Sequence, residues 1–365
     1  MQPRDLSANA PYVPGRGIEE VARELGLDPS ELIKLSSNEN PHGSSPKAIE
    51  AVVTHAETNG LNVYPKASHT DLTAAIADKW GVTDEQVWLT PGADGAIDLL
   101  SRAMLEPGDR ILEPEPGFSY YSMSAKYHHG TATSYTLSKE SDFAQTNALV
   151  LDAYAGERIV YLTSPHNPTG KEFSRAAIVE IADAVDDDTL IVVDEAYGEY
   201  SERPSSIGLI DDDDHDNIAV LRTFSKAYGL AGLRIGYAVV PESWADAYAR
   251  VNTPFAANEL ACRAALAALT DDEHVTQSVE TAQWSREYMQ SNLDAQTWDS
   301  AGNFILADVG DAKTVAAESQ ARGVIIRDCT SFGLPQCVRI SCGTRSETHK
   351  AVETLNSILN EVAIH

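Results

Sequence analysis

Short apolar runs rich in Val and Ile recur through the middle of the chain. They are QVWLT (86–90), RILEPEPG (110–117), RIVYLTSP (158–165), LIVVDEAY (190–197), IAVLRTFS (218–225) and RIGYAVV (234–240). Runs this continuous are expected of strands buried on both faces, as in a parallel sheet covered by helices. Between them polar residues return at helical spacing, in SPKAIEAVVTHA (45–56), TDLTAAIADKWG (70–81), GADGAIDLLSRAML (92–105) and SRAAIVEIADAV (174–185). The alternation predicts an α/β fold. After about residue 245 the pattern changes. ACRAALAAL and EHVTQSVETAQWSREYMQSNL make a helical stretch. NFILADV, a helix, GVIIR, CVRISC and a last helix over 345–362 then form a small α+β unit. The expected division is an N-terminal arm (1–40) serving the small domain and a dimer, a large domain (41–250), and a helical link with the small C-terminal domain (251–365).

A chain of 365 residues can build more than one domain. No run approaches the length of a membrane span. MQPRDLSANAPYVPG shows no basic segment followed by an apolar core, so no secretory signal is expected. Cys262, Cys329, Cys337 and Cys342 form no CxxC pair and no cluster with histidines. Neither a metal site nor a disulfide framework is indicated, and a reducing cytoplasm is the expected home. The net charge is −28. Such a charge repels nucleic acid and anionic membranes. The acidic runs Asp186–Asp188 and Asp211–Asp214 lack ligand spacing and read as solvated loops. Ten lysines against seventeen arginines on so acidic a chain suit a halophilic cytoplasm.

Ligands of open α/β sheets bind at the carboxyl ends of the strands. There the sequence places Asn167 in YLTSPHNPTG, Asp194 and Tyr197 in LIVVDEAY, and Ser225 and Lys226 in IAVLRTFSK. VWLTPGADG ends in a turn that opens a helix. Singly, each has an ordinary explanation: a capping Asp, a turn-forming Asn, a surface Lys. Together they match what pyridoxal 5′-phosphate needs, namely an amine for a Schiff base, an acid for the ring nitrogen and a phosphate cradle. TFSKAYGLAGLRIGY (223–237) resembles the lysine motif of the fold-type I aminotransferases. That resemblance implies a large domain with a mostly parallel seven-stranded sheet and a small α+β domain. It implies that Lys226 forms the Schiff base, that Asp194 keeps the ring nitrogen protonated, and that Asn167 and Tyr197 bond the phenolate oxygen. Phe118 would stack on the ring. The amides of Ala93 and Asp94, with Ser225 and Arg234, would cradle the phosphate. Lys226, close to neutral because of its cationic surroundings, would act as general base.

Both ends of the chain narrow the resemblance. PYVPGRGIEEVARELGL (11–27), IKLSSNENPHGSSPKAI (33–49) and GVIIRDCTSFGLPQCVRISCGTRSE (323–347) are similar to the histidinol-phosphate aminotransferases. In that family's pattern Arg339 holds the substrate anion. Arg327 and Tyr12 lie on the substrate phosphate, and Tyr64 reaches the neighbouring subunit's cofactor phosphate, which implies a homodimer. The family's usual Glu in the phosphate turn is Gly95 here, and its usual Tyr on the ring is Phe118. The implied reaction is transamination between L-histidinol phosphate and 2-oxoglutarate. The rivals are an aromatic amino-acid aminotransferase, a threonine-phosphate decarboxylase on the same scaffold, and a cofactor-binding regulator without turnover.

Carboxylates repel across so acidic a surface, and salt screens them with a Debye length of ~3 Å at 1 M. Removing salt should therefore lower the melting midpoint of the folded protein. A midpoint that stays flat or rises on desalting contradicts the halophilic reading.

Overall fold

The computed structural model describes residues 17–26, 28–66, 68–210 and 215–362. Among them, twelve strands form two sheets. β1 spans Ile33–Leu35. It is followed by β2 (Val87–Thr90), β3 (Arg110–Glu115), β4 (Thr131–Thr136), β5 (Ile159–Thr163), β6 (Leu190–Asp194), β7 (Ile218–Thr223) and β8 (Gly236–Val239). The last four are β9 (Gln296–Thr297), β10 (Phe304–Asp308), β11 (Val324–Asp328) and β12 (Cys337–Ser341).

The larger sheet has seven strands in the order β2-β8-β7-β6-β5-β3-β4. β4, β3, β5, β6 and β7 run parallel to one another. β5, β6 and β7 are buried along their whole length. One side of them, with Val160, Leu162, Ile191 and Val193, packs under helices Thr70–Trp80, Arg175–Ala184 and Glu259–Ala268. The other side, with Ile159, Tyr161, Leu190 and Val192, packs under helices Gly92–Met104 and Tyr120–Tyr127. Two apolar faces explain why these strands read as unbroken apolar runs.

β8 runs antiparallel to both β2 and β7. Residues 224–235 return the chain beside β7 without a crossover α-helix, which forces that direction. Lys226 and Arg234 ride on this return, so the same short loop brings both to the carboxyl end of β7. The register pairs Thr163 with Asp194 and Thr223 with Gly236, so the ends of β5, β6 and β7 lie side by side.

The smaller sheet has the order β1-β11-β12-β10-β9. β1 lies parallel to β11, and the remaining pairs are antiparallel. The helix Ile18–Leu25 docks beside it through Val21 and Ala22, against Leu32 and Ile325. The helix Ile18–Leu25 and β1 thus pack with the small sheet, and residues 36–40 cross from there to the large one.

One element of β7 departs from the apolar pattern. Arg222 is buried, with Nη1 donating to Glu195 at 2.7 Å and Nη2 to Glu199 at 2.6 Å. Its guanidinium lies 4.8 Å from the Trp80 ring. The cluster ties the end of β7 to the turn after β6, the two places that carry Lys226 and Asp194. Removing one member of a buried charge cluster leaves the others uncompensated. Arg222→Ala should lower unfolding free energy by about 3–5 kcal/mol at fixed salt. Loss of the exposed Lys66–Asp71 pair through Lys66→Ala should change it by less than ~1 kcal/mol. Denaturant midpoints check both, and equal effects would contradict the role given to the buried cluster.

Candidate active site

A cavity of about 460 Å³ opens where the carboxyl ends of the large sheet meet the small one. Lys226, Asp194, Tyr197, Asn167, Phe118, Ala93, Asp94, Ser225, Arg234, Arg327 and Arg339 all line it. Two expected residues remain. Tyr12 lies outside the described residues. Tyr64 is 80% exposed, stacked on Phe255 at 5.0 Å, and is not part of this chain's cavity.

At one end of the cavity the helix Gly92–Met104 presents its first turn, with Ala93 and Asp94. The first N–H groups of a helix have no partner within it, which makes the place suited to an anion. Gly92 has φ +78°, and a Cβ on it would stand 2.5 Å from Nη2 of Arg234. Only glycine lets the arginine lie so close to this turn. Arg234 bonds Asp94 at 3.0 Å and Ser225 Oγ at 3.4 Å. Its partners Asp94 and Ser225 line the same end of the cavity.

Asp194 ends β6 at the floor of the cavity. It accepts from the Tyr121 hydroxyl at 2.6 Å and from the Ala196 N–H at 2.9 Å. Burial raises its carboxyl from 3.8 to about 6, and the two hydrogen bonds pull the other way. Lys226 Nζ lies 3.4 Å from the Ser37 carbonyl and 5.6 Å from the centre of the Tyr197 ring. Burial lowers its amine from 10.5 to about 8, and the Arg339 guanidinium acts in the same direction. The expectation from sequence gave cationic surroundings as the cause. The structure corrects this: loss of water is the larger effect, and Arg339 comes second.

The far wall is β11 and β12. Arg327 and Arg339 face one another directly across the antiparallel pair. Arg339 is buried, donating to the Ser36 carbonyl at 2.7 Å and to Asn167 Oδ1 at 2.5 Å. Arg327 donates to Ser331 Oγ at 3.2 Å. Like charges directly opposite on a sheet are unfavourable by themselves. Both line the cavity that holds Lys226, so an anion there would relieve the repulsion.

A family model for aminotransferase class I and II matches residues 30–355. Histidinol-phosphate aminotransferase of Haloferax volcanii is 67% identical over 362 residues, covering 99% of each chain. That of Methanococcoides burtonii is 38% identical and covers 97% of this chain and 98% of the relative. The chain belongs to the histidinol-phosphate aminotransferases. Its acidic composition accords with relatives in halophilic archaea, such as the Halobacterium salinarum enzyme at 58% identity over 98% of this chain and 99% of the relative. Among solved structures, histidinol-phosphate aminotransferase from Sinorhizobium meliloti in complex with pyridoxal-5′-phosphate matches with a TM-score of 0.85. The identity there is 26%, and 95% of each chain is covered. The fold is the fold-type I transferase fold.

Three residues of this aminotransferase site escape the sequence reading. Tyr121 is fully buried, stacks on Tyr161 at 4.3 Å, and meets the Phe118 ring edge-on at 5.7 Å. It therefore touches both Asp194 and the aromatic expected on the ring. Its signal was the third position after Phe118, one helical turn on. His166 bonds Thr169 Oγ1 at 2.8 Å and the Pro116 carbonyl at 2.9 Å, and burial lowers it to about 3. It is neutral and pins the Asn167 loop to the turn before Phe118. Asn38, 1% exposed at φ 53°, donates to the Tyr197 hydroxyl at 3.0 Å.

Asp194 sets a test of the cost of this site. Its folded pKa of about 6 lies above the 3.8 of the free group. Protonation thus favours the folded state, an advantage fully present below about pH 4 and lost as pH rises through about 6. In protein stripped of cofactor, Asp194→Asn should raise stability above pH 6 by up to roughly 3 kcal/mol, with the gain vanishing towards pH 4. Chemical denaturation across that window measures it. A variant less stable than wild type at pH 8 contradicts the account.

Proposed function

We infer that this enzyme transfers the amino group of L-histidinol phosphate to 2-oxoglutarate, giving imidazole-acetol phosphate and glutamate, with pyridoxal 5′-phosphate as cofactor. The observation that carries the reading is the facing pair Arg327 and Arg339 in the cavity of Lys226. Histidinol phosphate has no carboxylate. Its phosphate ester occupies the place where an amino acid would put one, and two arginines suit a dianion better than one. An aromatic amino acid would need only one of them. A decarboxylase would have to hold a carboxylate and a phosphate together. The full-length relatives named above carry the same activity in their names.

The residues present fit the cofactor. The Gly92 turn and helix amides suit its phosphate, the buried Asp194 has no cationic partner among the described residues, the place a protonated ring nitrogen would take, and Lys226 supplies the amine. When bound, the cofactor supplies an electrophilic carbon for the amine and a ring that draws electrons from the bond to be broken. Ala93, Asp94, Ser225 and Arg234 would hold its phosphate. Phe118 would cover the ring face, and Asp194 would hold a proton at the ring nitrogen. Asn167 and Tyr197 would bond its phenolate oxygen. Lys226, half-buried and neutral above about pH 8, takes the proton from the substrate's Cα. Arg339 and Arg327, with Tyr12, hold the substrate phosphate, and Arg339 alone holds the carboxylate of glutamate.

The working unit is a homodimer. Ile49, Val53, Leu61, Val63, Tyr64 and Phe255 are exposed apolar side chains on one stretch of the chain and its neighbour, a surface of the kind that pairs. From it Tyr64 reaches the cofactor phosphate of the second subunit. The four cysteines are free and buried, in keeping with a reducing cytoplasm. The two sheets support the division into an arm (1–40), a large domain (41–250) and a link with the small domain (251–365), although the helix Glu259–Ala268 packs on the large sheet's core.

Single-turnover spectroscopy of each amine with each variant tests the assignment. Losing a charged hydrogen bond costs roughly 1.5–3 kcal/mol, about ten- to a hundredfold in kcat/KM. Arg327→Ala should cost histidinol phosphate that much and leave glutamate nearly unaffected. Arg339→Ala should damage both. Equal losses for both substrates in Arg327→Ala would mean that the phosphate is held elsewhere. Wild type reacting with tyrosine but not histidinol phosphate would replace the reading.

A further inference from the structure

Tyr197 can act on a bound cofactor in two opposite senses. Its hydroxyl either donates into the cavity or turns away and donates to the protein. The surrounding bonds choose. The Asn38 backbone N–H donates to Ser341 Oγ at 2.9 Å, and that hydroxyl donates back to Asn38 Oδ1 at 2.8 Å. With Oδ1 so engaged, Nδ2 is the atom facing Tyr197, and it donates to the hydroxyl at 3.0 Å. The reverse amide orientation would turn the acceptor away from the Ser341 hydroxyl, which is 2% exposed. Asn303 Nδ2 donates to the Asn38 carbonyl at 3.1 Å, which fixes the backbone of this left-handed residue. The Tyr197 ring is braced edge-on against Phe304 at 5.0 Å. Its oxygen therefore accepts from Asn38, which leaves its own hydrogen for another partner in the cavity that both residues line.

We propose that Asn38 is a positioning residue that fixes the direction of the Tyr197 hydrogen bond, making this hydroxyl an obligate donor to the oxyanion of the bound cofactor. The inference rests on the cofactor reading above. It adds that the small sheet, through Ser341 and Asn303, sets the polarity of a bond made on the large one. A hydroxyl that accepts one hydrogen bond donates a stronger second one. Donation to an oxyanion favours the form of the cofactor with fewer protons.

The test is the pH midpoint of the visible absorbance band of the holoenzyme. It is measured in wild type, Asn38→Asp, Asn38→Ala, Tyr197→Phe and the doubles with Tyr197→Phe. An aspartate at 38 accepts from Tyr197 and turns its hydrogen away. Asn38→Asp should raise the midpoint nearly as far as Tyr197→Phe does, by ~1 unit. Asn38→Ala should raise it less. In the Tyr197→Phe background the added effect of Asn38→Asp should fall to a minor fraction, leaving only the field of the new carboxylate, and that of Asn38→Ala should vanish. Shifts of equal size in both backgrounds, or no shift, overturn the proposal. Should Asn38→Asp fail to fold in a melting scan, Asn38→Ala decides by the same comparison. A visible band that is absent from the loaded wild type, or unchanged in Lys226→Ala, overturns the cofactor reading, whereas a wild-type band that is present but does not titrate overturns this proposal alone.

Discussion

Two arginines held face to face across β11 and β12 are the constraint around which the site is arranged. Like charges facing one another across a strand pair favour an anion beside them, and the fold sets the two at a fixed place. β1 flanks β11 on the other side and sends residues 36–40 across the cavity. From that strap, Ser36 takes a bond from Arg339, Ser37 faces Lys226 and Asn38 holds Tyr197. One short stretch of chain thus contacts both the Arg339 guanidinium and the Lys226 amine. In a protein of net charge −28 this cavity gathers Lys226, Arg234, Arg327 and Arg339. A local positive well inside an acidic surface selects small anions over the surroundings.

The same arrangement tunes the two titrating groups in opposite directions. Burial penalises charge on both, so the Lys226 amine falls to about 8 while the Asp194 carboxyl rises to about 6. Neither is a stable choice for a structural core. Each is tolerated because β5, β6 and β7 are buried along their length and because the Arg222 cluster clamps the strand ends beside them. A rigid apolar slab carrying a few costly polar groups at one edge is how such a fold keeps chemistry apart from stability.

Much of this was legible in the sequence because the physics there is local. Continuous Val and Ile runs identified β5, β6 and β7, and polar residues just past their ends marked Asn167, Asp194, Tyr197 and Lys226. β4 was not legible: TATSYT is a mostly polar strand at the edge of the sheet and carries no apolar period. The antiparallel course of β8 was hidden as well, since a buried strand reads alike in either direction. Arg222 sat unnoticed inside an apolar run because its partners lie after a different strand. Asn38 and Tyr121 were missed for a related reason. Each meets its site partner, Tyr197 or Asp194, through a hydrogen bond that spans 159 or 73 positions of the chain, and no spacing rule reaches that far.

The central claim is that the facing arginines exist for the phosphate of the amino donor. Its most direct measurement is a cycle: single-turnover kcat/KM for histidinol phosphate and for histidinol, which lacks only the phosphate, in wild type and in Arg327→Ala. If Arg327 serves that phosphate, the preference for the phosphorylated substrate should shrink by about ten- to a hundredfold in the variant, a coupling of roughly 1.5–3 kcal/mol. A preference that survives unchanged in Arg327→Ala would show that the arginine pair serves the fold and not the substrate, and would contradict the account.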